Sequence, residues 1–188
     1  MRKTNRTLPG FSLVELIVLI AVMAVLVGMT SLGIGMIRAT DTKKTAYGIE
    51  DGLTALKAHD MAGKETVYMH LFVHNGKYYR TITNSKTAPV YSGNEKEIGG
   101  SMISISVTYD VRDDAGGALP DRVVSLEDGA VEDVCIGMSK KDGSFLYQKV
   151  SGTTKSEAPR EIKVTAPRAT DYEVYMVTDT GKHYVEAQ

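Results

Sequence analysis

Hydrophobic positions along this chain follow two regimes. From Gly10 to Ile37 (GFSLVELIVLIAVMAVLVGMTSLGIGMI) they are nearly continuous. The 22 residues Leu16–Ile37 carry no charge, and as one helix they would extend about 33 Å. That is enough to cross a bilayer core of about 30 Å. From Arg38 to about Ala62 the pattern becomes amphipathic. Ala46, Ile49, Leu53 and Leu56 recur at three- and four-residue spacing, while Asp41, Lys43, Lys44, Glu50, Asp51 and Lys57 take the other faces. Gly48 and Gly52 weaken this helix, and Gly63 supplies its stop. The expectation is a helix whose second half lays Leu53 and Leu56 into a core.

After Gly63 the period changes to two. Thr66–His74 and Lys77–Thr83 flank Asn75–Gly76, and Asn-Gly between two β-rich runs is the strongest short-range hairpin signal. Residues 84–101 read as a loop. Met102–Val111 alternates, with Ile103, Ile105, Val107 and Tyr109 on one face. Asp113–Asp121 reads as a loop, Arg122–Leu126 and Val131–Met138 as short strands, Lys140–Gly143 as a turn and Ser144–Val150 as its return strand. Ser151–Arg160 reads as a polar loop. Glu161–Thr165, between Pro159 and Pro167, reads as a short edge strand. Tyr172–Thr178 and Lys182–Glu186 make a last hairpin. The expected class is α+β: a long N-terminal helix, its first half membrane-spanning, packed on an antiparallel sheet.

Composition narrows the function. With 22 basic and 23 acidic side chains the chain is near neutral, which argues against a phosphate-neutralising nucleic-acid surface. One cysteine, Cys135, excludes an intrachain disulfide; its apolar setting reads as a buried small hydrophobe. No catalytic constellation is legible, so no enzyme and no cofactor are expected. The histidines are His59, His70, His74 and His183. His70 and His74 share a strand face, but no cysteine or carboxylate completes a metal shell. Asp110, Asp113, Asp114 and Asp121 bracket a Gly-rich loop without EF-hand spacing, which reads as a solvated loop rather than a calcium site. Of the adjacent pair Tyr78 and Tyr79, one must point outward if both lie in a strand.

The N-terminus carries the most specific signal. A basic leader (Arg2, Lys3, Arg6) meets the apolar run at Gly10–Phe11, and Glu15 stands one turn inside it. An ordinary secretory signal has a shorter apolar region and a small-residue cleavage site; an uncleaved anchor would not need Glu15. The stretch Gly10–Phe11–Ser12–Leu13–Val14–Glu15–Leu16 resembles the class III signal of type IV pilins and of the pseudopilins of type II secretion and competence systems. The resemblance covers roughly residues 1–40. It implies four segments: 1–10 a prepilin leader, 11–37 a transmembrane and filament-core helix, 38–63 its amphipathic continuation, and 64–188 a β-rich globular domain. It also implies cleavage after Gly10 by a prepilin peptidase and N-methylation of Phe11.

Glu15 would then pair with the Phe11 amine of a neighbouring subunit. At 4 Å and an effective dielectric near 20 that attraction is about 4 kcal/mol before desolvation, so its expected role is axial register rather than net stability. Many pilins close a C-terminal loop with a disulfide, and this chain cannot. The implied partners are the peptidase, an assembly ATPase, a platform membrane protein, other pilin subunits and the membrane, with no direct nucleic acid. The implied location is a single pass through the inner or cytoplasmic membrane, C-terminal domain outside, followed by an extracellular or periplasmic filament. The alternative is a membrane-anchored extracellular binding module that never polymerises.

Overall fold

The computed structural model describes residues 12–63, 65–87, 89–128 and 134–188, with no side-chain placement for 29–34. Helix α1 (Leu13–Ala62) starts at Ser12 and ends at Gly63, whose N–H reaches the His59 carbonyl at 2.8 Å. Among the described residues ten strands follow, in two antiparallel sheets. The first has the order β3 (Lys96–Gly99), β2 (Lys77–Thr83), β1 (Tyr68–His74), β6 (Val134–Gly137). The second has the order β10 (Lys182–Ala187), β9 (Tyr172–Val177), β8 (Lys155–Thr165), β4 (Ser104–Asp113), β5 (Ala118–Ser125), and β7 (Gln148–Lys149) also pairs with β8.

Two expectations are corrected here. Among the described residues no helix is long and apolar enough to cross a membrane. The described large apolar side chains at the N-terminal end of α1 run from Leu13 to Val27, with Glu15 among them. The next described stretch, from residue 35, soon meets Arg38, Asp41, Lys43 and Lys44. The fold is therefore mostly sheet, not a sheet domain hung on a membrane-spanning pilin helix. The single-pass membrane location falls with it.

The second half of α1 lays a stripe into the core. Ala46, Ile49, Leu53 and Leu56 are fully buried, and Thr42 and Thr45 extend the stripe toward the N-terminus. The two threonines are tolerated because their hydroxyls donate to carbonyls: Thr42 to Arg38 at 3.2 Å, Thr45 to Ile98 of β3 at 2.8 Å. The helix contacts strands of both sheets, and one apolar cluster joins all three layers: Leu53 and Leu56 with Met69 and Leu71 of β1, Ile105 and Val107 of β4, and Ile162 and Val174 of β8 and β9. Gly48 and Gly52 sit where strands press closest. A side chain at Gly52 would run into Met69 and Arg80. The two glycines that weaken the helix locally are what let it lie flat on the sheet.

The β1–β2 hairpin turns at Asn75 (φ 51°) and Gly76 (φ 68°), the positive-φ pair that a type I′ turn requires. In β4, Ile105, Val107, Tyr109 and Val111 are buried in alternation. Three readings change. Residues 84–101 contain β3. Strand β5 starts at Ala118, inside the expected loop, and takes in Pro120 because it is the edge strand of its sheet. The expected loop Ser151–Arg160 and edge strand Glu161–Thr165 are together one interior strand, β8. Pro159 fits there because the ladder is broken around it. The β4 register slips between Thr108 and Tyr109, opposite Glu161 and Pro159, and on the other side of β8 the pairing with β7 ends at Glu157 before the pairing with β9 begins at Glu161. A missing N–H costs least where the strand changes partners.

Candidate functional site

The helix N-terminus is built by a capping box. Ser12 Oγ accepts from the Glu15 N–H at 3.2 Å, and the Ser12 N–H donates to Glu15 Oε2 at 2.9 Å. This satisfies two donors that a helix start leaves without intrahelical partners, and it places a carboxylate at the positive end of the helix dipole. Gly10 and Phe11, the expected cleavage and methylation residues, lie outside the described residues. Glu15 is described, and Val14, Val18, Leu19, Val22 and Met23 form an apolar flank beside it.

From Leu13 to Val27 the large apolar side chains are exposed on every side of the helix, from Val22 at 52% to Leu13 at 76%. None is covered by the sheets. Each aliphatic side chain of this size gains about 1.5–3 kcal/mol when moved from water to a full apolar contact, and contiguous apolar surface on this scale marks an interaction site. Glu15 is the one charge in that stretch. A carboxylate at one end of an apolar cylinder can accept a cation from a partner, while the cylinder supplies non-directional affinity.

The remaining candidates resolve differently. The four aspartates disperse: Asp110 takes Arg112 at 3.2 Å and the Tyr147 hydroxyl, Asp114 takes Lys149 at 3.6 Å, and Asp121 takes Arg160 at 2.9 Å. Asp113 folds back on the N–H groups of Ala115 at 3.0 Å and Gly117 at 2.6 Å. Among the described residues no three His, Cys, Asp or Glu side chains come together as a metal-binding group. His70 is fully buried and its Nε2 donates to the Ser85 carbonyl at 2.8 Å, whereas His74 stacks on Tyr91 with ring centroids 4.1 Å apart. Cys135 is half-buried, and its carbonyl accepts from Gln148 at 2.8 Å.

Tyr78 and Tyr79 point to opposite faces yet both are buried. Tyr78 donates to the Ile103 carbonyl at 3.2 Å, and Tyr79 lies between Phe72 and Tyr91. The loop carrying Tyr91 covers the face that strand geometry alone leaves open.

Sequence pattern did not single out the cluster around Glu173. This buried carboxylate accepts from the Tyr175 hydroxyl, from Lys163 at 3.1 Å and from Gln188 at 2.8 Å. The Tyr175 hydroxyl holds the Glu173 carboxyl below its ordinary 4.5, and Lys163 adds to the effect. In return the hydrogen bond to Glu173 pushes Tyr175 up to about 12, and Lys163 is raised as well. A depressed acid stabilises the fold above its unfolded pKa and loses that contribution as pH falls through the folded one. A raised tyrosine stabilises below about 10 and loses that contribution as pH climbs toward about 12. Glu173→Gln is therefore expected to flatten both limbs of a stability–pH curve. Denaturant midpoints measured from about pH 3 to 11 check this, and an unchanged profile would refute it.

Comparison with known proteins adds no assignment: no family model, no curated protein and no solved structure matches the chain.

Proposed function

We propose that the chain is a structural subunit of a type IV pilus or of a type II secretion or competence pseudopilus, cut after Gly10 and built into a filament by packing of its N-terminal helix. The observation that carries this reading is the exposed apolar surface from Leu13 to Val27 with Glu15 near its start. A free helix of that kind is costly in water and gains by packing against copies of itself. In this reading Glu15, at the head of the helix, accepts the Phe11 amine of a neighbour. The role is structural, with no catalysis by this chain. The partners of the reading are a prepilin peptidase, an assembly ATPase, a platform protein and other pilin subunits.

The experiment is intact mass and N-terminal sequencing of the protein recovered from its native cells. The expected chain begins at Phe11, with one added methyl group. A chain that begins at Met1, or is cut beyond Ile37, refutes the proposal. Glu15→Ala is then expected to leave the processed subunit intact and to cut its incorporation into filaments about tenfold or more, the effect of losing about 1.4 kcal/mol of register energy per contact. Incorporation at the wild-type level would remove Glu15 from assembly.

A further inference from the structure

The cleft between α1 and the β2–β3 edge holds two cations, Arg80 and Lys96, that form no salt bridge among the described residues, with Asp51 of α1 the carboxylate that acts on Arg80. Arg80 on β2 and Lys96 on β3 are direct register partners, so their side chains leave the same face of the sheet. Like charges directly opposite in a ladder are destabilising. Among the described residues neither takes part in a salt bridge or hydrogen bond, and Arg80 Nε is buried with no acceptor. Burial lowers the proton affinity of Arg80 below the ordinary arginine value, and Asp51 on α1 offsets this only in part. The other nearby carboxylate, Glu97, is engaged by Lys77 at 2.8 Å.

The guanidinium is also positioned by the helix. Arg80 lies directly over Gly52, where a side chain of any size would overlap its Nη1. Ala55 forms the floor beside it, and Thr81, Ile82, Asn94 and Lys96 complete a cleft of about 250 Å³. That is room for roughly eight waters at about 30 Å³ each. It suits a small hydrated group better than an apolar ligand. A planar fork of N–H donors with an ammonium alongside matches a group bearing several anionic oxygens.

We infer that this cleft is a binding site for a phosphate-type oxyanion, held by the Arg80 fork and Lys96, with Asn94 supplying a neutral polar contact. The bound anion neutralises the Arg80–Lys96 repulsion and gives Arg80 Nε an acceptor. The inference rests on the cleft alone and stands or falls separately from the assembly reading.

The test is a titration of the full chain with inorganic phosphate, against sodium chloride at matched ionic strength, followed by the Arg80 Nε–Hε resonance and the backbone amides of Thr81, Asn94 and Lys96. Saturable shifts with phosphate and not with chloride are expected. Lys96→Ala, at an exposed position that leaves the fold intact, is expected to weaken binding at least about fivefold, and Arg80→Lys, which keeps the charge and removes the fork, about tenfold or more. Glycerol 3-phosphate distinguishes the sources. Tighter binding than inorganic phosphate places the group on a larger ligand, and the reverse makes the free ion the ligand; both support the site. Shifts that follow ionic strength equally in chloride, or an unchanged affinity in Lys96→Ala, overturn it.

Discussion

Leu53→Ala is expected to lower the unfolding free energy by about 3 kcal/mol, within the range of about 2–5 kcal/mol for emptying a fully buried leucine site. Leu53 has no exposed surface and belongs to the cluster shared by the helix and both sheets. Its neighbours are fixed from three directions, so the cavity cannot collapse by moving one element. Leu16→Ala, the same chemical change made about ten turns toward the N-terminus, should alter the stability of the isolated chain by no more than about 0.5 kcal/mol, because Leu16 is 53% exposed. Denaturant unfolding of both variants, with equal m-values, checks the pair. A loss below about 1 kcal/mol at Leu53 would mean that the helix is not held by this stripe. A large loss at Leu16 would mean that the N-terminal half of the helix is covered after all.

The contrast between the two leucines also shows what pattern can and cannot reveal. Ala46, Ile49, Leu53 and Leu56 were legible because a helical period survives any tertiary context that buries one face. The Asn75–Gly76 hairpin and the alternation of β4 were legible for the same local reason: the turn needs two positive φ values, and the strand has one buried face. Strand β8 was not. Lys155, Ser156, Glu157 and Pro159 look like loop residues, and they occupy an interior strand only because a register slip and a change of partner absorb the proline. The burial of Tyr79 and His70 is hidden from pattern for a related reason, since the segment carrying Ser85 and Tyr91 folds over them. The uncharged run Leu16–Ile37 shows the opposite failure: apolar continuity reads as a membrane span, and among the described residues no helix is long and apolar enough to be one.

The candidate sites divide along the same line. The Ser12–Glu15 capping box follows from residue types three apart. The Glu173 cluster and the Arg80–Lys96 cleft follow from strand register and helix docking, which no local window contains.

Gly181→Ala tests the docking itself and is expected to cost about 2–4 kcal/mol. Two contributions add. Gly181 has φ +62°, and an L-residue in the left-handed region costs about 1–2 kcal/mol. A Cβ there would also press into the backbone carbonyl of Gly143, in the turn after β6, and a main-chain atom cannot swing aside as a long side chain would. The same turn is tied down by the Gly143 N–H to the Ser139 carbonyl at 2.7 Å, and Lys57 of the helix donates to the Gly181 carbonyl at 3.3 Å. Displacing it therefore strains the helix, the β6 turn and the β9–β10 hairpin together. Gly152→Ala separates the contributions: Gly152 has φ +74° with open space around it, so it should lose only the conformational part, about 1–2 kcal/mol. Thermal and denaturant unfolding of the two variants measure the difference. If Gly181→Ala loses no more than Gly152→Ala, the close approach of the hairpin to the Gly143 turn contributes nothing, and the C-terminal hairpin is held by its strand pairing alone.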